Sequence, residues 1–168
     1  LGVNYAYFPT ENIYVNGGIS PWHLNRPRES FFESDLSGYD SRIQPRYNAF
    51  LNVSYKMSDD VIINPMAYFT TQAKANELVG GATLQYNLSG DGESQLYGGL
   101  MYRAGDALIP MVGFEWKNIK LMFTYDATMS SLKNYNNGRG AWEFALMHNG
   151  FYNQFTRDRT SFCPTFKY

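Results

Sequence analysis

The sequence predicts an all-β fold, an antiparallel transmembrane β-barrel, and three observations predict it. Apolar and polar residues alternate through one segment after another, as in strands with two unlike faces. The segments run to roughly ten residues, the length a tilted strand needs to cross a bilayer; soluble strands average about 5–6. Charged residues make up only 17% of the chain, against about 25% in ordinary soluble domains, while aromatics reach 17%.

The clearest segment is Arg46 to Met57. Tyr47, Ala49, Leu51, Val53, Tyr55 and Met57 share one face, and Arg46, Asn48, Phe50, Asn52, Ser54 and Lys56 the other. A tyrosine near each end with aliphatics between them is the pattern of a strand whose ends lie at two water interfaces. The other elements follow in order. Val3, Tyr5 and Tyr7 alternate with Asn4 and Ala6 in a first strand, and Pro9 to Asn12 reads as a turn. Ile13, Val15 and Ile19 oppose Tyr14, Asn16 and Ser20 in a second, where Gly17-Gly18 suggests a bend or a close backbone approach. Asn25 to Pro45 is a long, charged loop with room for a short helix over 29–35. After the central strand and the turn Ser58-Asp59-Asp60, a fourth strand covers Val61 to Thr71, with Ile63, Ala67 and Phe69 opposite Asn64, Met66 and Thr70.

Gln72 to Asn76 reads as a connection. A fifth strand then sets Leu78, Gly80, Ala82, Leu84, Tyr86 and Leu88 against Thr83, Gln85 and Asn87, before the turn Ser89 to Gly92. A sixth opposes Leu96, Leu100 and Tyr102 to Gln95, Tyr97, Met101 and Arg103. A seventh opposes Leu108, Val112, Phe114 and Trp116 to Met111 and Glu115. Lys117-Asn118 leads into an eighth, Ile119, Leu121, Phe123 and Tyr125 against Lys120, Thr124 and Asp126. Met129 to Gly138 is a polar loop, and Trp142, Phe144 and Leu146 oppose Glu143, Ala145 and Met147 in a ninth strand.

Connections after odd strands read as short turns and those after even strands as longer on average, the asymmetry of bacterial outer-membrane barrels between periplasmic turns and extracellular loops. On that topology the C-terminus is periplasmic. Residues 1–148 are then the C-terminal part of a barrel, and 149–168 an irregular tail. The odd strand count, with a chain that opens on Leu1 inside an apparent strand, leads us to expect a larger barrel of even strand number.

A soluble sandwich or lipocalin-like barrel would turn the same apolar stripes inward. The polar stripes disfavour it, being mostly Asn, Ser, Thr, Gln and Gly, as does the absence of charge at the middle of the apolar stripes. A lipid-facing Arg or Lys there would cost about 2–4 kcal/mol. Pro65 and Pro110 stand against a membrane strand, because proline donates nothing to the ladder; they require bulges or local unpairing.

The sequence excludes several functions. A net charge of −1 gives no electrostatic case for nucleic acid. Two histidines, His23 and His148, and a single cysteine, Cys163, offer no metal-ligand spacing and no intrachain disulfide. Serines and aspartates are plentiful in loops, but nothing places them in a hydrolase arrangement. We expect no catalytic residues, no cofactor and no metal. The inward charges Arg46, Lys56, Arg103, Glu115, Lys120, Asp126 and Glu143 mix both signs. Mixed signs beside large residues such as Phe50, Met101, Met111 and Met147 favour cross-strand pairs in a filled interior over the selectivity lining of a solute channel.

Several blocks resemble the PorP/SprF family: His23-Leu24-Asn25-Arg26-Pro27, Gln72 to Gly81, Tyr102 to Ala107 with Pro110 to Glu115, and Tyr125-Asp126 to Ser130-Ser131-Leu132. So do Asn137-Gly138-Arg139-Gly140 before Trp142-Glu143, and the terminal Cys163-Pro164-x-Phe166. The resemblance covers nearly the whole chain in order, apart from a longer, more charged tail over Asn149 to Ser161. It implies an outer-membrane β-barrel of type IX secretion and gliding motility, without enzymatic activity. The implied partners are outer-membrane lipid, a secreted cell-surface protein such as a large adhesin, and a periplasmic peptidoglycan-binding lipoprotein. Topology then suggests an extracellular contact on the long loop, at Arg26, Arg28, Phe31, Phe32 and Tyr39. A periplasmic contact on the tail would use Phe162, Cys163, Pro164 and Phe166.

Overall fold

The computed structural model describes residues 1–28, 42–90, 92–131, 133–137 and 139–148. These form nine strands: β1 (Val3–Thr10), β2 (Ile13–Trp22), β3 (Arg46–Lys56), β4 (Val61–Gln72), β5 (Ala75–Asn87), β6 (Ser94–Arg103), β7 (Ala107–Trp116), β8 (Ile119–Thr128) and β9 (Ala141–His148). All pair antiparallel with their sequence neighbours in one sheet of order β1 to β9. Among the described residues β1 and β9 are its two edges. The tail and the stretch where a helix was expected lie outside the described residues.

The direction of the two faces is settled by burial. Eight residues of the sheet are buried: Ile62, Thr70, Asn87, Gln95, Tyr97, Met101, Ala107 and Gly113. All eight stand on the face that carries the polar stripes. The opposite face carries Leu51, Leu84, Leu100, Val112, Phe114 and Leu121 and stays exposed. Tyr47, Tyr102, Tyr125 and Trp142 stand toward one end of that face, and Tyr7, Tyr55, Tyr86 and Trp116 toward the other. An outward apolar surface between two aromatic rows is stable against hydrocarbon and costly against water. No helix of the described residues is long and apolar enough to cross a membrane.

Pro65 and Pro110, the two mid-strand prolines that stood against a membrane strand, are accommodated by local unpairing. β3 and β4 pair at Asn52↔Met66 and again at Tyr55↔Ile63, skipping Pro65 without a register change, while Pro65 stays paired with Ala82 on its other side. Pro110 repeats the arrangement, paired with Leu100 but passed over between Leu108↔Ala127 and Met111↔Thr124. Proline lacks the N–H that a two-sided ladder needs, so each strand loses a few bonds on one side only.

The register corrects four expectations. Pro9 and Thr10 belong to β1, whose pairing with β2 shifts by one residue between Tyr7 and Thr10, so the turn is only Glu11-Asn12. β5 begins at Ala75, because Gln72↔Ala75 closes a two-residue hairpin with Ala73 at a φ of 56°. The loop after β8 contains a short helix, α1 (Lys133–Asn136). Connections after β4 and β6 are as short as turns, so the length asymmetry rests on the connections after β2 and β8. Gly17-Gly18 causes no register shift; a Cβ on Gly18 would lie 2.7 Å from the Phe50 ring and 2.8 Å from the Val3 carbonyl oxygen.

Candidate functional site at the lumen wall and the loop-bearing rim

The inner face is built in three tiers. At the end that carries the turns, a network crosses four strands. The Tyr97 hydroxyl lies 2.7 Å from both Gln95 Oε1 and Glu115 Oε2, and Gln85 donates to Gln95. Lys120 Nζ sits 3.1 Å from Glu115 and 3.9 Å from the centre of the Tyr97 ring, pairing with a carboxylate and an aromatic face together. Asn87, 3% exposed, folds the adjoining turn: its Oδ1 accepts from the Gly90 and Gly92 amides, and both glycines take a positive φ.

The middle tier is a run of glycine–methionine pairs. Gly81 faces Met66 and Met101, Gly99 faces Met111, and Gly113 faces Met122, each pair directly opposed across the ladder. A Cβ on Gly81 would come within 2.2 Å of the Leu100 carbonyl oxygen, and one on Gly113 within 2.1 Å of Met122 Sδ. On the crowded inside of a curved sheet, a glycine leaves the space in which a flexible thioether lies against the wall.

The third tier is the rim that bears the loops 23–45 and 129–140. Arg103 Nη1 is 3.0 Å from Asp106 and 2.9 Å from Asp126, and its Nε is 3.7 Å from Glu77. Asp126 lies two strands away on β8. Arg103 reaches it past the small, fully buried Ala107, its direct partner on β7. The Arg103 guanidinium and then the Ser130 hydroxyl hold the Asp106 carboxyl below the usual carboxylate range. The Asp106 carbonyl accepts from the Met129 amide at 2.6 Å and the Ser130 amide at 3.0 Å, tying the 129–140 loop to the β6–β7 connection. The far end of that loop is fixed too. Asn136 Nδ2 donates to Thr128 Oγ1 and the Arg139 carbonyl, and the Gly140 amide donates to the Tyr125 hydroxyl. A Cβ on Gly140 would lie 1.6 Å from the Asp126 carbonyl oxygen, so only glycine fits there. Farther round the rim, Asn48 Oδ1 accepts from Arg46, Tyr68 and Thr70.

The expected inward charges are therefore mostly engaged. Arg103 meets Asp126 and Glu115 meets Lys120, while Arg46 is held by Asn48 and Thr70. Lys56 turns instead to Asp59 in its own turn, at 2.9 Å, and this lowers the Asp59 pKa. Glu143 is exposed on β9 and makes no ion pair among the described residues. Glu77 and Asp106 escaped the sequence reading because Glu77 falls between the connection ending at Asn76 and the strand face opening at Leu78, and Asp106 falls between the sixth and seventh strands; the Arg103–Asp106 spacing of three across a turn was the available signal.

Of the expected contacts, Arg26 and Arg28 stand at the root of the long loop. Arg28 bridges Arg42, the Ile43 amide donates to the Pro27 carbonyl, and His23 and Arg26 adopt positive φ values of 55° and 43° in a tight turn. Phe31, Phe32, Tyr39, Phe162, Cys163, Pro164 and Phe166 lie outside the described residues. His23 and His148 stand at opposite ends of the sheet and share no site. No group of His, Cys, Asp and Glu suited to a metal occurs among the described residues.

The family model described as "Type IX secretion system membrane protein PorP/SprF" matches residues 1–147. No curated protein and no solved structure matches the chain.

Proposed function

Because the chain belongs to the PorP/SprF family of type IX secretion system membrane proteins, we propose that it is a non-enzymatic outer-membrane β-barrel that attaches, or helps deliver, a secreted cell-surface protein such as a large adhesin. The observation that carries this reading is the division of labour in the sheet. Apolar residues face outward, most of the inner charges are spent on neighbouring polar groups, and the two long connections stand at one rim.

We assign that rim to the cell exterior, residues 1–148 to the barrel, and residues 149–168 to a periplasmic tail that meets a peptidoglycan-binding lipoprotein. The long loop, from Arg26 and Arg28 through Phe31, Phe32 and Tyr39, is a cargo contact in this reading, and Phe162, Cys163, Pro164 and Phe166 are a periplasmic one. The edges of β1 and β9, unpaired among the described residues, support closure by further strands, since an open edge in hydrocarbon costs several kcal/mol for each unsatisfied group. β1 and β9 run parallel to each other, so antiparallel closure takes an odd number of added strands and gives an even total.

The test is surface display. Deleting the gene should remove the secreted partner from the surface of intact cells, measured by surface biotinylation, and undiminished display would refute the role. The alternative, a channel for small solutes, predicts a steady large conductance in planar bilayers from the purified protein without partner. Paired lumen charges and the methionine tier favour the anchoring role.

A further inference from the structure

The loop between β8 and β9 is longer than its turn requires and is tied down at both ends. Two residues suffice between β4 and β5 and between β7 and β8, whereas twelve, residues 129–140, separate β8 from β9. The anchors come from three sources: the Asp106 carbonyl on the β6–β7 connection, Thr128 and Tyr125 on β8, and Asn136 within the loop. Arg103 fixes Asp106 in turn by pairing with it and with Asp126. What this scaffold leaves outside is specific. Tyr135 is 87% exposed, Met129 is 59% exposed, and Lys133 and Arg139 are exposed without an ion pair among the described residues. From Met129 to Gly140 the sequence holds no Asp or Glu.

An exposed tyrosine between two unpaired cations, on backbone fixed before any partner arrives, has the composition and the low ordering cost of a binding hot spot. Resting on the anchoring role above, we propose that this loop is a second docking surface for the secreted partner and recognises an acidic polypeptide segment through Lys133, Tyr135 and Arg139. Its positive charge selects the sign of the partner. Its fixed geometry favours a polypeptide over lipid headgroups, because a fluid headgroup layer adapts to any cation and needs no preformed surface.

The experiment compares the wild-type strain, a deletion strain, and strains carrying Tyr135→Ala, Lys133→Glu/Arg139→Glu, or Tyr135→Phe with Lys133→Arg. Barrel abundance in the outer membrane is checked in each. The surface-displayed partner should fall at least tenfold in the first two variants and be retained in the conservative one. In parallel, the protein is reconstituted in phosphatidylcholine vesicles and titrated with fluorescent poly-L-glutamate. Lys133→Glu/Arg139→Glu should weaken binding at least tenfold, and so should 0.5 M salt, the behaviour of exposed charges. Loss of display in the deletion strain with full display and unchanged polyglutamate binding in the variants would overturn the docking surface and leave the anchoring role intact. Full display in the deletion strain would overturn the anchoring role itself. Variants that change only insertion into phosphatidylglycerol vesicles would assign the loop to lipid and overturn the proposal.

Discussion

Leu51→Arg decides which environment the apolar face meets. Leu51 is the middle residue of β3 on the outward side, between Gly17 on β2 and Ala67 on β4. Those small neighbours leave it 49% exposed. If that exposure is to water, an arginine there removes apolar surface from solvent and adds a solvated charge, and stability changes by no more than about 0.5 kcal/mol. If it is to the hydrocarbon midplane, the same change costs about 2–4 kcal/mol, a thirtyfold to several-hundredfold shift in the folding equilibrium at about 1.4 kcal/mol per decade. Met57→Arg, just past the end of the same strand and also exposed, is the depth control and should cost about 0–1 kcal/mol. The assay is equilibrium denaturation of protein refolded into phospholipid vesicles, followed by tryptophan fluorescence and by heat-dependent gel mobility. Equal, small effects at both positions would refute the assignment of this face to lipid.

Gly81→Ala drives a Cβ toward the Leu100 carbonyl, which cannot step aside, and should destabilise by about 1–3 kcal/mol in the same assay. Gly98→Ala, on the outward face with nothing within 4 Å, should be neutral or stabilise by about 0.4–1 kcal/mol, and equal losses at both glycines would refute the packing account. Asp106 has a folded pKa below its unfolded value, so its contribution is present above about pH 4 and is lost as pH falls through the folded pKa. Protection of the Met129 and Ser130 amides from hydrogen exchange should therefore drop in acid below that pH, and Asp106→Asn should lower protection at neutral pH and flatten the dependence. Pro110→Ala should change stability by less than about 1 kcal/mol, because pairing with β8 is already interrupted there, whereas Val112→Pro breaks the paired Val112↔Phe123 position and should prevent folding into vesicles.

Much of the fold was legible because alternation is a local property. Leu51, Leu84 and Phe123 announce their face through residues one and two positions away, and no distant partner is needed to read it. Strand ends were less legible. Ala75 and Asn76 look like a connection until Thr71 and Gln72 pair with them, and Pro9 looks like a turn until a one-residue shift carries it into β1. The rim was least legible. Nothing near Arg103 in the sequence announces Asp126, and Asn136 and Gly140 find Thr128 and Tyr125 only once β8 and β9 stand side by side.

By itself the sequence determined nine two-faced ribbons, their order, and the identity of the greasy and the polar side of each, since side-chain direction along a strand follows from backbone geometry alone. The tertiary structure decided which side is enclosed and which inward groups meet. Curvature crowds one face and opens the other, so the eight buried residues fall together on the polar side. Register brings Glu77 of β5 and Asp126 of β8 to the Arg103–Asp106 turn, so that three separate stretches of chain meet at one guanidinium, a relation between strands that no stretch of sequence contains.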